Sequence, residues 1–291
     1  MMPPMDVAPG PGVSMITLLN IYVAAMGLLV GSYLNVLIYR IPRGVSTVTP
    51  RSRCTRCRAA IRPWDNIPVL SYIFFLRGRC RHCGMRISPR YPAIELVTAI
   101  LVFASWQRFG LQGSGDLYEG DSLIIPALIA AAFCCQMVVL CMIDFEHYLL
   151  PDVITLPGLV IGLVFLPVLG WSNYQDLLIG AVAGGAVLLA MTWGWYLWKG
   201  VEGMGMGDVK MLAMIGAWLG WRGMLVTLFL ASFLGSIVGL IQILRGRMSM
   251  QSRLAFGVFL AIGAVITLFF ETEFQDVYAR FSLAIFRFGH W

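Results

Sequence analysis

Hydrophobic positions along this chain gather into long unbroken runs instead of alternating or marking one face. Apolar stretches at about 15–38, 92–106, 122–143, 153–170, 177–198, 209–221, 223–244 and 254–270 are separated by polar connections. Most approach the roughly 20 residues that carry a helix across a bilayer, and they lack the polar face that a helix at a water-exposed surface keeps. The pattern predicts an all-α polytopic membrane protein with about eight transmembrane helices. The stretch 209–221 is short for a full crossing. One connection stands apart: 40–91 is long, polar and rich in arginine. The chain therefore divides into a tail and first span (1–39), a loop (40–91), and a membrane core of about seven further spans (92–291).

Composition sharpens this picture. Hydrophobic residues make up 59% of the 291 and charged residues only 12%, against about 25% charged in soluble proteins. A mean hydropathy of +0.79 excludes a soluble enzyme, a disordered chain and a secreted disulfide scaffold. The formal charge of +6 would suggest nucleic acid in a soluble protein, but its distribution points elsewhere. The alternate connections 40–91, 144–152, 199–210 and 245–253 carry 12, none, 2 and 3 of the 21 lysines and arginines. The other side keeps Arg108, Arg222, Arg280 and Arg287, together with most of the acids. Basic connections stay in the cytoplasm, so the loop is expected there and both termini on the opposite side. The lipid bilayer is the expected partner and nucleic acid is not. Residues 1–13 are rich in proline and glycine without a basic head, so no cleavable signal peptide is expected.

Seven cysteines form two groups. Cys134, Cys135 and Cys141 lie inside an apolar run, where a thiol serves as a small hydrophobe. Cys54-Thr-Arg-Cys57 and Cys80-Arg-His-Cys83 lie in the arginine-rich loop. Two Cys-x-x-Cys knuckles at this separation suit a tetrahedral four-thiolate zinc site, and a reducing cytoplasm argues against disulfides. A closed sulfur shell leaves no position for water, so the role is structural. A redox pair, or cysteines without metal, are the alternatives. His82 reads as a surface histidine.

Carboxylates mark the ends of two spans. Asp144 closes the third run and opens Asp144-Phe145-Glu146-His147-Tyr148-Leu149-Leu150-Pro151-Asp152, and Asp208 follows Gly203-Met204-Gly205-Met206-Gly207. A charge at a helix boundary costs little: Asp208 and Asp152 could be N-caps and Glu146 a solvated loop acid. Carboxylates at a membrane boundary are also candidates for function. The alternating glycines would let a bound peptide approach the backbone closely and would set Asp208 on a tight turn. Two aspartates brought together from different helices cannot both ionise. One could take a proton from water while the other polarises a carbonyl, which is peptide hydrolysis without a covalent intermediate.

These residues carry a family resemblance that covers nearly the whole chain. Gly31-Ser32-Tyr33-Leu34-Asn35-Val36-Leu37-Ile38-Tyr39-Arg40-Ile41-Pro42, Asn66-Ile67-Pro68-Val69-Leu70-Ser71-Tyr72, Arg90-Tyr91-Pro92-Ala93-Ile94-Glu95-Leu96, Asp144 with Leu150-Pro151-Asp152, and Gly205-Met206-Gly207-Asp208-Val209-Lys210 resemble the type IV prepilin peptidases. The resemblance implies that Asp144 and Asp208 are the catalytic pair, with Gly205, Gly207 and Lys210 as candidate substrate contacts. Two segments depart from the family's pattern. Thr55 and Arg56 stand where the family often has a proline between its first two cysteines. Phe256-Gly257-Val258-Phe259 stands where it commonly has a Gly-Pro step.

The resemblance further implies a substrate class, prepilins or pseudopilins with a basic leader, cut at the cytoplasmic face of a bacterial inner membrane between a glycine and an apolar helix. Family members with the cysteine loop can also methylate the new amino terminus with S-adenosylmethionine, and this chain has the loop. Asn66, Ser71, Tyr72, Arg90 and Glu95 are the polar candidates for that activity, though each could equally support the zinc lobe or cap the second span. A transporter with functional carboxylates, or a zinc-bearing scaffold of a pilus or secretion machine, are the readings from other classes. No convincing internal repeat supports the first, and the second would not need the aspartate pair.

Overall fold

A computed structural model describes residues 13–49, 51–111, 124–200, 205–246, 254–271 and 273–274. The two terminal tails, Gly203, and parts of the connections after the second and seventh runs lie outside the described residues. The described residues form seven helices: α1 (Val13–Arg40), α2 (Arg90–Ser105), α3 (Ile124–His147), α4 (Asp152–Val168), α5 (Tyr174–Lys199), α6 (Met206–Leu244) and α7 (Phe256–Phe269). Among them there are no strands, only isolated bridges in the loop, Arg53 with Ala60 and Arg79 with Arg86. The helices containing α1, α2, α3, α5 and α6 are long and apolar enough to cross a membrane, and α4 and α7 are shorter apolar helices. The all-α membrane architecture expected from the runs is the one observed.

α6 accounts for two of the runs. Its backbone leaves helical geometry at Gly220, where φ is 69° and ψ is −179°, a conformation that favours glycine because it has no Cβ. The chain turns back there. An ideal Cβ on Gly184 of α5 would lie 2.7 Å from the Leu212 carbonyl oxygen and 3.2 Å from Met224 Cγ. Twelve residues of unbroken helix would separate those positions by about 18 Å, so the two arms of α6 lie side by side, both against α5. The sixth and seventh runs are thus separate passes. Their turn falls at Gly220, two residues before the expected boundary at Arg222.

The first arm of α6 is the centre of the molecule. Met211, Leu212, Met214, Ile215 and Ala217 are fully buried, and Trp218 donates its indole N–H to the Gly158 carbonyl of α4 at 2.8 Å. Phe133 of α3 packs on the same Trp218 with ring centroids 5.2 Å apart. α3, α4 and α5 thus surround the arm that begins with Asp208, α7 packs on the second arm, where Thr227 donates to Thr267 at 3.1 Å, and α1 and α2 pack beside α3 through Leu34, Ile38, Ile94 and Ile143.

The loop between α1 and α2 folds as two similar knuckles. The Cys54 N–H donates to the Ala59 carbonyl at 2.9 Å, and the Cys80 N–H to the Met85 carbonyl at 2.8 Å. Arg81, inside the second knuckle, bridges to Asp65 at 2.6 Å, and this guanidinium holds the Asp65 carboxyl below its ordinary range. Between the knuckles the chain returns to the helices. The Val69 N–H donates to the Glu95 carboxylate at 2.8 Å, and Glu95 sits about 7 Å along α2 from Arg90. Val69 holds a φ of 57°, unusual for a β-branched residue. Leu70, Ile73, Phe74 and Phe75 then face outward at the level of the first turns of α2.

Candidate active site and metal centre

Asp144 and Asp208 line one cleft of about 380 Å³. α3 supplies the first in its last turn, and α6 supplies the second in its first turn. The floor between them is the short link from α3 to α4, with Leu150 and Pro151 buried. Tyr148 starts this link with a φ of 51°, which turns the chain back towards α4. Asp144 is buried and Asp208 half-buried.

The N-cap alternatives do not hold. The residues capping α4 and α6 are Pro151 and Gly205, neither with a side-chain cap hydrogen bond. Asp152 and Asp208 lie inside the first turns instead, where the positive end of the helix dipole favours a carboxylate. The Asp208 backbone N–H donates to the Gly205 carbonyl at 3.1 Å, closing the turn that opens α6. Gly207 serves close packing within the chain, since a Cβ there would meet Leu150 Cβ at 2.9 Å.

The start of α7 holds Asp144 in place. The Val258 N–H donates to Asp144 Oδ2 at 3.2 Å, and a Cβ on Gly257 would lie 2.8 Å from the same oxygen. Gly257 and Val258 are the site residues that the motifs did not supply. The one signal was the departure at Phe256-Gly257-Val258-Phe259. A proline at 258 would have no N–H to give, so this chain makes a contact that a Gly-Pro step would lack. Gly257→Ala should therefore displace the carboxylate and lower peptide cleavage at least tenfold. Protein levels in the membrane should stay normal, because alanine suits a helix better than glycine. Cleavage assays beside immunoblots of membranes check this.

The other expected site residues divide into two places. Gly205, Gly207 and Lys210 line the cleft with the aspartates, and Lys210 bridges Asp152 at 2.8 Å. Asn66, Ser71, Tyr72 and Glu95 belong to the loop and its anchor, away from the cleft lining. Glu95 carries the Val69 turn, the Tyr72 hydroxyl donates to the Ile87 carbonyl at 3.3 Å, Ser71 is buried and Asn66 is exposed. Arg90 connects the two places through its ion pair with Glu146, two residues beyond Asp144.

The four loop cysteines come together. Their sulfurs all lie within 4.8 Å of one another, and Cys54 Sγ is 3.7 Å from Cys83 Sγ. Sulfurs at about 2.3 Å from a tetrahedral zinc stand roughly 3.8 Å apart, so the group could hold such an ion. The Cys54 thiol is drawn down to about 6, chiefly by the backbone N–H of Cys57, while the neighbouring sulfurs help push the Cys57 thiol up to about 11 against the pull of the Ala59 N–H, so the four sulfurs share their protons as one group. Cys134, Cys135 and Cys141 lie elsewhere, inside α3.

Two family models match the sequence: the bacterial peptidase A24 N-terminal domain over residues 25–109, and the type IV leader peptidase family over residues 131–240. A Burkholderia pseudomallei protein named prepilin leader peptidase/N-methyltransferase is 38% identical over 281 residues, covering 87% of this chain and 86% of its own. The chain belongs to the type IV leader peptidase family. Proteins of the same name from Myxococcus xanthus (40% over 228 residues; 78% of this chain, 64% of that one) and Pseudomonas aeruginosa (34% over 282 residues; 88% and 92%) are also similar. No solved structure matches. Membership makes the chain a leader peptidase, a multi-pass membrane hydrolase. The N-terminal match contains the four cysteines and Glu95, and the leader peptidase match contains Asp144 and Asp208.

Proposed function

We propose that this chain is an aspartic endopeptidase that removes the basic leader of type IV prepilins or pseudopilins at the cytoplasmic face of the inner membrane. The observation that carries the reading is the shared cleft of Asp144 and Asp208, supplied by different helices at the loop end of the bundle. The relatives' printed name supports the substrate class. The gathering of 17 of 21 basic residues in alternate connections supports a cytoplasmic location for that end.

Each step uses groups of this chain. The ionised aspartate takes a proton from water as the water oxygen bonds to the scissile carbonyl carbon. The protonated aspartate donates to the carbonyl oxygen, lowering the cost of its developing charge. Collapse of the tetrahedral intermediate breaks the C–N bond; the carboxyl that took the proton gives it to the leaving amine, and the carboxylate that gave its proton takes one back from the intermediate's hydroxyl, restoring the pair. Gly205 borders the cleft with no side chain to obstruct an extended peptide. Lys210, tied to Asp152, fixes another part of the cleft lining. A glycine before the scissile bond eases the local unwinding that the attack requires.

Cys54, Cys57, Cys80 and Cys83 hold a structural zinc ion in this reading, and the loop serves transfer of a methyl group from S-adenosylmethionine to the new amino terminus. The relatives' name supports the second activity, and the sulfur geometry supports the metal. The test is mass spectrometry of a prepilin co-expressed with the chain. The mature protein should lack its leader and carry one added methyl group. An uncut prepilin, at normal membrane levels of the chain, overturns the reading.

A further inference from the structure

A second concavity lies on the membrane-embedded surface. It is an apolar groove of about 330 Å³ floored by α3 through Met137, Val138, Cys141 and Met142 and walled by α2 and α7. Val97 on the α2 wall and Ile262 on the α7 wall are 47% and 41% exposed, so the groove opens sideways. From Ala93 to Leu101 it follows α2 for about 12 Å. Its lining has no polar group until Arg90 at the loop end.

We propose that this groove seats the apolar helix of the substrate, with its leader-bearing end beside Asp144. The inference rests on the peptidase reading and adds the place where the substrate is held. Three observations select a helix with a basic leader over a lipid chain. First, the groove runs along the helix that carries Asp144, and Asp144 stands one turn beyond Cys141 on the edge facing α7. The α7 wall likewise leads from Ala261, one turn back, to Gly257 and Val258 against the Asp144 carboxylate. An occupant parallel to α3 would therefore end at the carboxylates.

Second, the polar end is acidic. Asp144, Glu146, Asp152 and Asp208 stand against Arg90 and Lys210, and both cations are already bridged to Glu146 and Asp152. A basic leader is attracted to these four carboxylates, because each of the two cations is already engaged with one of them. Third, the sideways opening lets a helix already in the bilayer slide into contact without leaving lipid, which every buried backbone group requires.

The walls allow a direct test. Val97→Trp and Ile262→Trp each fill the groove from a partly exposed position, so the core is left alone. Reconstituted in liposomes, each should cut full-length prepilin at least tenfold more slowly than the unaltered chain. Each should cut a short soluble peptide, leader and scissile bond without the apolar helix, within about twofold of it. In parallel, benzoylphenylalanine in place of Val97, in an Asp208→Asn background, should photo-crosslink to the first turns of the substrate helix. The same group in place of Phe229, exposed on the second arm of α6, should not. Unchanged cleavage of full-length prepilin by both tryptophan variants, or equal crosslinking at both positions, overturns the proposal and leaves the groove to lipid. If the unaltered chain cuts neither substrate, the peptidase reading fails by itself, and the crosslink still decides who occupies the groove.

Discussion

Asp144→Asn and Asp208→Asn should each slow leader cleavage by about a thousandfold or more. Positioned acid–base groups contribute roughly 10²–10⁴ in rate, and here one carboxyl cannot replace the other because each has its own task. Groups that act as a unit are non-additive, so the double variant should be no slower than either single one. Folding should hardly change. Asparagine is nearly isosteric, its side-chain oxygen can still accept the Val258 N–H, and the Asp208 side chain makes no hydrogen bond among the described residues, so the cost should be about 1 kcal/mol or less. Asp176→Asn, in the first turn of α5 at the other end of the bundle, controls for the loss of a carboxylate as such. Cleavage rates in membranes normalised to protein level decide the matter. An active Asp208→Asn variant removes the dyad.

Much of this molecule was legible because a bilayer imposes one period on everything that crosses it. Runs such as 122–143 and 177–198 are apolar on all sides, and they became α3 and α5 with ends displaced by a few residues. The helix ends were harder to place. α3 continues through Asp144 and Glu146 to His147, because carboxylates near a boundary can reach water or partners without ending the helix. The four cysteines and the two aspartates were readable from spacing and motif. The hold of α7 on Asp144 was not, since it depends on a backbone N–H and on a missing Cβ, and neither has a signature in residue type. The return of the loop at Val69 was hidden for a related reason. Its anchor, Glu95, lies 26 positions away, and only the fold brings the two together.

Replacing Cys80 by serine should lower bound zinc from about one ion per chain to well under half and should impair methyl transfer far more than cleavage. Zinc held by four thiolates contributes folding free energy of roughly 10 kcal/mol or more, and the Asp65–Arg81 bridge, the Val69–Glu95 and Tyr72–Ile87 hydrogen bonds and the Arg90–Glu146 pair are weaker fastenings beside it. The lobe should therefore lose its fold. The cleft is lined by α3, the α3–α4 link, α4, Gly205 and α6, with no residue of the α1–α2 loop, so cleavage should stay within about threefold. Methyl transfer, which needs a site for a charged cofactor outside the bilayer, should fall at least tenfold. Mutating Cys134, Cys135 and Cys141 together to alanine should leave the metal content unchanged. Metal analysis, methyl transfer from labelled cofactor to a synthetic mature amino terminus, and cleavage are measured side by side. Equal loss of both activities in Cys80→Ser at normal protein levels ends the division of labour, and a zinc-free unaltered chain ends the metal site.

The turn at Gly220 bears on how such a chain is made. The arm from Met206 to Gly220 reaches only about 21 Å as a helix, against a hydrocarbon core of about 30 Å, and it carries Asp208 at its start. Threaded alone from the ribosome it would be a poor span. Joined at Gly220 to the following arm, it can enter the bilayer as a ready-made helical hairpin. Asp208 then reaches its place only after the ribosome has supplied residues to about 244, and the Val258 N–H that holds Asp144 follows later still. A nascent chain halted before that point would lack both the second carboxylate in position and the clamp on the first. Assembly of the complete cleft therefore requires the chain at least as far as Val258.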